Sequence, residues 1–364
     1  MKKILFIFMC LWSISMMAQF VHPGMLHTKA DLDNIKSRIQ SGQEPWKSAW
    51  QQLQNSELAD LSIVRPHAIS HVSRGSYAVP SNGDKELMND GDAAYTMALQ
   101  WYLTGDKKFA QKSIEILNAW SYALDSVTHS DKELIIGITG IKFLNAAEII
   151  KYTYKGWAQK DQNAFGKMIL EKWYPVIQNF KPRSNGNWDA AIGQTMLCIG
   201  IFLDRQDIFD RAYNHLSKGQ TNGAINFYFS ETGQCQESGR DQGHTQLGMA
   251  YLTNACEIAW NQGRDLYSAY DNRLLKGYEY TAKYMLGEDV PYVQYTTFYG
   301  GKVFENEISS QGRGRYSPIY ERVYRHYHVR KGLEMPYTLR VIEKTRSEMV
   351  NQDHIPWSTL CCAE

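Results

Sequence analysis

Apolar residues recur along this chain at the three-and-four spacing of amphipathic helices almost from end to end. Thr28-x-x-Asp31 has the form of a capping box and opens a run through Leu32, Ile35 and Ile39 that stops near Gly42. A run over 93–103 ends at Gly105-Asp106 and is followed by another over 109–124. The same unit then repeats. Residues 135–154 break at Lys155-Gly156 and resume over 165–180; residues 193–203 break at Arg205-Gln206-Asp207 and resume over 209–216. Residues 246–260 break at Gln262-Gly263-Arg264-Asp265 and resume over 267–285. Breaks near 106, 156, 206 and 264 give a period of about fifty residues, each unit being two antiparallel helices joined by a short polar turn.

Four longer connections separate these hairpins, at 63–88, 182–189, 221–243 and 290–318, and they are rich in charged, Gly and aromatic residues. Long ordered loops on a helical frame carry function. A closed ring of hairpins gathers them at one end, as an open solenoid does not. The expected fold is therefore all-α, an (α/α) toroid of six or seven hairpins. Residues 319–329 and 337–350 read as further helices. No Pro/Gly/Ser-rich linker divides the chain, so residues 20–364 are expected to form one domain.

The first nineteen residues stand apart. Lys2 and Lys3 precede an apolar stretch over 4–14, and Met16-Met17-Ala18-Gln19 forms a small-residue zone before Phe20. That stretch is too short to span a bilayer and reads as a secretory signal cleaved near Gln19, which places the mature protein in the periplasm or outside the cell. Removing Lys2 and Lys3 takes the formal charge from +1 to −1, which argues against nucleic acid as a partner. A polyanion would need a local lane of cations. The five remaining cysteines, Cys198, Cys235, Cys256, Cys361 and Cys362, are an odd set at irregular spacing, neither a disulfide framework nor a zinc pattern. Twenty-three Tyr and ten Trp exceed what a core of this size needs and suit a cleft that holds a sugar chain.

Candidate chemistry lies in the loops. Residues 231–248 (ETGQCQESGRDQGHTQLG) carry Glu237, Arg240, Asp241 and His244 just before an apolar helix pattern. A helix starting near Ser238 would put Glu237, Arg240 and His244 on one face. The first long loop offers Arg65, His67, His71, Arg74 and Tyr77; the second offers Asn187-Trp188; the fourth offers Tyr292, Tyr295 and Tyr299, then Arg313 and Arg315. Each has a plainer use. Asn187 suits a helix cap, the paired histidines suit loop hydrogen bonds, and the last two arginines suit solvent. No His/Cys/Glu set has metal-ligand spacing, and neither a Gly-rich phosphate cradle nor a GxSxG motif occurs, so no metal or cofactor is expected.

Three segments, HPGMLHTKADLDNIKSRI, GNWDAAIGQTMLCIGIFLDR and QESGRDQGHTQLGMAYL, resemble the alginate-lyase-like polysaccharide lyases. The resemblance runs from about His22 to Tyr327 and is nearest to the branch acting on alginate and glucuronan, polysaccharide lyase family 38. It implies an (α/α) toroid that cleaves anionic uronic-acid polymers by β-elimination, with an Asn, a His and a Tyr around the uronate and help from Arg. The matching positions are Asn187, His244 and Tyr299, with Arg240 as helper. Some relatives place a His directly after the Asn. Trp188 stands there in this chain, so the role of a histidine falls to His244. Around these, Trp188, Glu237, Arg65, His67, Arg313 and Arg315 are expected to bind substrate, and the protein is expected to act as a monomer.

The chemistry fits those residue types. Eliminating across C4–C5 of a 4-linked uronate requires the carboxylate charge to be offset, a base for the C5 proton and an acid for O4. In mannuronate and glucuronate H5 and O4 lie on the same side, so one tyrosine can serve as base and acid in turn. Guluronate, the C5 epimer, needs base and acid on opposite faces, with His244 as base and Tyr299 as acid. Three alternatives remain at this level: a lyase of glycosaminoglycans, a glycoside hydrolase of uronic-acid oligosaccharides, or a non-enzymatic sugar-binding protein, which would explain the aromatics but not Asn187, His244 and Tyr299 together. A hydrolase requires two opposed carboxylates, which Glu237, Asp241, Asp189 and Asp92 are positioned in sequence to supply.

Overall fold

In the computed structural model, residues 20–75, 80–295, 306–346, 348 and 350–364 are described. Thr28 caps α1 (Lys29–Gln40) as the sequence predicts, with the Thr28 hydroxyl accepting from Asp31 N–H and the Asp31 carboxylate accepting from Thr28 N–H. Helix α2 (Trp46–Gln54) completes the first pair. The next pairs are α3 (Asp84–Thr104) with α4 (Lys107–Ala123), and α5 (Lys132–Thr153) with α6 (Gln159–Met168). The latter runs on through a π-helical turn at Ile169–Trp173 into α7 (Tyr174–Ile177). Then come α8 (Gly186–Phe202) with α9 (Gln206–Lys218), a short α10 (Ile225–Tyr228), and α11 (Gln242–Asn261) with α12 (Ala269–Met285). Helices α13 (Tyr320–Tyr324), extended by a π turn at Arg325–Arg330, and α14 (Pro336–Thr345) form the last pair before α15 (Ser358–Cys362). The pairs form an α/α toroid. Its breaks fall where the period of about fifty placed them. At the first, Gly105 adopts φ +77° and ends α3 in a left-handed turn that other residues resist.

Sequence pattern separates the two layers. Helix α5 is buried without interruption from Glu133 to Ile150, and α8 and α11 are nearly as enclosed. These are inner helices, and α3, α5, α8 and α11 pack in that succession. Helix α9 buries only a stripe (Ile208, Phe209, Ala212, Leu216, Ser217) and lies on the outside of α8. Helices α5 and α8 approach closely. A Cβ on Gly137 would stand 2.7 Å from the carbonyl carbon of Ala191, and the Gly137 carbonyl accepts from both Gln194 Nε2 (3.0 Å) and Thr195 Oγ1 (2.9 Å).

The inner helices run parallel, which follows from what meets their ends. Residues 20–28 cross the C-terminal side: Leu26 N–H donates to Asn145 Oδ1 (3.0 Å), Asn261 Nδ2 donates to the Met25 carbonyl (2.7 Å), and His22 bridges Glu148 (2.6 Å) and Asp204 (3.2 Å). Among the described residues, the N-terminal side is open. The only strands among the described residues, β1 (His71–Ser73) and β2 (Ser126–Thr128), form a parallel pair with Val72 opposite Val127. They tie the first long loop to the start of α5. No helix of the described residues is long and apolar enough to cross a membrane. All five cysteines outside the first nineteen residues are free and buried.

Because a Cβ added at Gly137 would meet backbone atoms of Ala191 and Ile192, no neighbouring side chain can rotate away to make room. Gly137→Ala is expected to lower unfolding stability by about 1–3 kcal/mol, the usual cost of overpacking, read as a lower denaturant midpoint at unchanged slope. An unchanged midpoint would show that the seam is looser than its geometry.

Candidate active site

At the open end lies a cleft of about 1060 Å³. Its wall is assembled from the first turns of all four inner helices and the loops that lead into them. Lys85 comes from α3, Leu134 and Ile138 from α5 with Asp131 just before it, Asn187 and Trp188 from α8, and His244 and Leu247 from α11 with Arg240 just before it. Arg74 enters from the first loop and Asp353 from the C-terminal segment. Four helix N-termini thus face one space. Their unpaired N–H groups and partial positive charge favour an anion, and Arg74, Lys85 and Arg240 add to it against Asp131 and Asp353.

Asn187 lies in the first turn of α8, two residues past the cap position, which Asn185 occupies without making a side-chain cap bond. The Asn187 side chain is buried, and its Oδ1 has no partner among the described residues. That oxygen is an acceptor, so the amide can meet an anion only through its Nδ2 donor. Two bonds hold this helix start against the third loop. Asn185 Nδ2 donates to Glu237 Oε2 (3.2 Å), and Gly186 N–H donates to Gln236 Oε1 (3.1 Å).

Helix α11 begins later than the charge pattern suggested. Asp241, in extended backbone at φ −172°, is its cap, and its Oδ1 accepts from His244 N–H at 2.7 Å. Glu237 and Arg240 therefore lie in turns before the helix, not on one helical face with His244. The other Asp241 oxygen accepts from His244 Nδ1 at 2.6 Å. That bond fixes Nδ1 as the protonated nitrogen and leaves Nε2 with a free lone pair. Burial works to raise the Asp241 pKa, but the two bonds from His244 and the nearby charges outweigh it and hold the carboxyl below its ordinary value. Arg240 Nη1 lies 3.3 Å from Glu237 Oε2. Glu237 is fully buried, and burial raises its pKa despite Arg240 and His244.

The expected binding residues divide. Trp188, Arg240, Asn187 and His244 share the cleft wall, together with Arg74. Glu237 does not reach the wall; its carboxylate holds Asn185 and Arg240 in place. Arg65 and His67 line a different cavity, with His67 Nδ1 bonded to Asp90. Arg313 stacks on Tyr284 at 4.0 Å and donates to the carbonyls of Tyr284 and Glu288, so its guanidinium fixes a loop. Arg315 is exposed outside the cleft lining. Tyr299 and Tyr77 lie outside the described residues. Of the other tyrosines weighed beside Tyr299, Tyr295 donates its hydroxyl to the Phe227 carbonyl at 2.6 Å, and burial raises its pKa. Lys85, Asp131, Asn185 and Asp353 line the cleft without having been singled out in sequence.

The carboxylates considered for hydrolysis are committed elsewhere. Asp189 is buried between His215 Nε2 (2.7 Å) and Lys181 N–H (2.6 Å), and Asp92 is buried in an ion pair with Lys142 (2.7 Å). No group of three or more His, Cys, Asp or Glu that could hold a metal occurs among the described residues.

Asp241 offers a test of this construction. Replacing it with Ala removes the cap of α11 and is expected to cost about 1 kcal/mol at neutral pH by chemical denaturation. Its folded pKa lies below the ordinary 3.8, so this stabilisation is present above that value and disappears as pH falls through the lower folded one. The gap between wild type and Asp241→Ala should therefore close in acid; a gap that is constant with pH would rule out the carboxylate as its source.

With this geometry in hand, the sequence profile of the alginate lyase family matches residues 36–290. No curated protein sequence matches the chain. Among solved structures, alginate lyase A1-III from Sphingomonas species A1 is similar at 15% identity and a TM-score of 0.69, over 95% of this chain and 98% of that one. An alginate lyase from Bacteroides ovatus is similar at 13% identity and a TM-score of 0.64, over 94% and 100%. A variant of alginate lyase A1-III complexed with a tetrasaccharide is similar at 14% identity and a TM-score of 0.64, over 92% and 94%.

Proposed function

We propose that this protein, which belongs to the alginate lyase family and is a polysaccharide lyase, cleaves 4-linked uronic-acid polymers, alginate and glucuronan among them, by β-elimination in the cleft beside Trp188. The observation that carries the reading is the meeting of Asn187, Arg240 and the Asp241-backed His244 where four helix N-termini converge. An alginate lyase of the same fold holds a tetrasaccharide, and a cleft of about 1060 Å³ has room for several sugar units.

In this mechanism the uronate carboxylate lies against Asn187 and Arg240. Their donors, with the helix N-termini behind them, offset its charge and stabilise the enolate-like intermediate formed when the C5 proton leaves. His244 Nε2 is the base for guluronate, where the proton departs on the face opposite O4. Tyr299 protonates O4 in every case, and for mannuronate and glucuronate it first takes the C5 proton. Trp188 supplies a flat face for a sugar ring. Glu237 acts only through Arg240, as a positioning residue. Residues 20–364 act as one exported domain and as a monomer, after removal of residues 1–19.

Release of unsaturated product is followed by its ultraviolet absorbance, across poly-mannuronate, poly-guluronate, glucuronan and glycosaminoglycans. Activity confined to glycosaminoglycans would move the substrate class, and cleavage without the chromophore would mean hydrolysis. Tyr299→Phe keeps the ring and loses only the hydroxyl; kcat is expected to fall by more than about a hundredfold with KM little changed. Near-normal turnover would shift the role to Tyr292. Asn187→Ala should lower kcat on every uronate, whereas His244→Ala should weigh most on poly-guluronate.

Binding of a polyanion by a nearly neutral protein must depend on ionic strength. Wild-type KM should rise steadily from dilute buffer to high salt, with Arg240→Lys retaining most affinity because it keeps a cation opposite Glu237. A KM indifferent to salt would place recognition outside this cationic wall.

A further inference from the structure

Behind the C-terminal segment that walls the cleft lies a second cavity of about 400 Å³. The two share walls. Val350 lines one and Asp353 the other, while on α3 Lys85 faces the first and Asn89 and Asp90, about one turn later, face the second. A contact between Gln352 and Asn89 forms the ridge between them. The first long loop also serves both, through Arg65 and His67 at one end and Arg74 at the other.

The second cavity has a built polar floor. Asp90 is almost fully buried and accepts three bonds: from His67 N–H (2.7 Å), from His67 Nδ1 (2.9 Å) and from Trp120 Nε1 (2.7 Å). The carboxylate thus fixes both the backbone and the ring of His67, leaving Nε2 for a ligand, although half of that side chain is exposed. This repeats the Asp241–His244 arrangement of the main cleft, where a carboxylate likewise takes a backbone N–H and Nδ1 of one histidine. Arg65, exposed on the same wall, has no hydrogen-bond or ion-pair partner among the described residues. Opposite stand apolar surfaces, including Ile63 and Val350, each about half exposed (48% and 47%), and Glu57 lies at the rim.

We infer that this cavity is a distal uronate subsite: Arg65 pairs with a carboxylate and His67 with a hydroxyl of a sugar unit on the same polymer, past the ridge that bounds the main cleft. The apolar wall takes the C–H face of the ring. This rests on the lyase reading of the main cleft and adds to it a preference for long chains. Sugar units at the subsite contribute equally to ground and transition states, so the subsite lowers KM without changing kcat.

Kinetics on a trisaccharide and on the intact polymer separate the possibilities. Arg65→Ala is expected to raise KM for the polymer about tenfold and to shift KM for the trisaccharide, which the main cleft has room to hold by itself, by less than twofold, at constant kcat. Arg65→Lys should recover part of the loss, and His67→Ala should weaken polymer binding in the same direction. An equal effect on both substrates, or none on the polymer, overturns the subsite. Should the wild-type enzyme release no unsaturated product from any uronic polymer, the lyase reading of the cleft falls instead. Calorimetric binding of long and short oligouronates to wild-type and Arg65→Ala protein then decides the subsite by itself: a selective loss for long chains supports it, and equal affinities overturn it.

Discussion

The close seam between α5 and α8 is the constraint on which the rest of the structure depends. Gly137 lets the backbone of Ala191 approach to a distance that no side chain tolerates, and Gln194 and Thr195 close the gap by donating to the Gly137 carbonyl. Two helices held this near have little freedom to slide, since packed interiors respond in discrete steps. The seam sits within two turns of the helix starts, so it fixes the distance between Asp131 and Leu134 on one side of the cleft and Asn187 and Trp188 on the other. A loop-built site gains its precision from such a frame.

Parallel inner helices then make the two ends of the toroid electrically unlike. The C-terminal end is covered by residues 20–28, where His22 meets Glu148 and Asp204; burial opposes its charge, but those two carboxylates outweigh the effect and raise its pKa. A cation at helix C-termini is the favourable sign. At the other end the sum of four N-termini is positive before any side chain is counted. A protein with a formal charge of +1 over its whole sequence can therefore offer an anionic polymer a favourable surface without being basic overall.

The helical frame was legible because its signals are local. Thr28 and Asp31 sit three residues apart and satisfy each other, and the polar breaks interrupt apolar periodicity within a few positions. Asn187, Trp188, Arg240 and His244 were legible for a related reason: they stand at helix starts, where polar residues break an apolar pattern. The misplacements came from interactions that act across the chain. Glu237 reads as an exposed charge until Asn185, fifty-two positions away, and Arg240 enclose it. Arg313 reads as a free cation until the carbonyls of Tyr284 and Glu288 claim it. Arg65 and His67 lie on the same loop as Arg74, but β1 pairs with β2 between them and sends the loop's two ends into different cavities. Lys85 and Asp131 carried a usable signal, since both lie at starts of inner helices. Asp353 carried none, because only the tertiary docking of the C-terminal segment brings it to the wall.

The distribution of carboxylates bears on which chemistry the cleft supports. Asp189 is closed off by His215 and Lys181, Asp92 by Lys142, and Glu237 by Asn185 and Arg240. Asp241 is held below the ordinary carboxylate range by His244 and caps a helix, so it is a poor proton donor. A glycosidase needs one carboxyl group that keeps its proton near neutrality and a second, ionised one facing it across the sugar. Burial does raise the pKa of Glu237 and brings Asp92 to about 6, but neither residue lines the cleft. The groups that do meet there are an amide, a guanidinium and an imidazole, and under the proposed mechanism they supply donors for a substrate's own carboxylate and a base for its α-proton. On that proposal the carboxylate that matters belongs to the polymer, and the protein's own acids serve to orient the residues that would receive it.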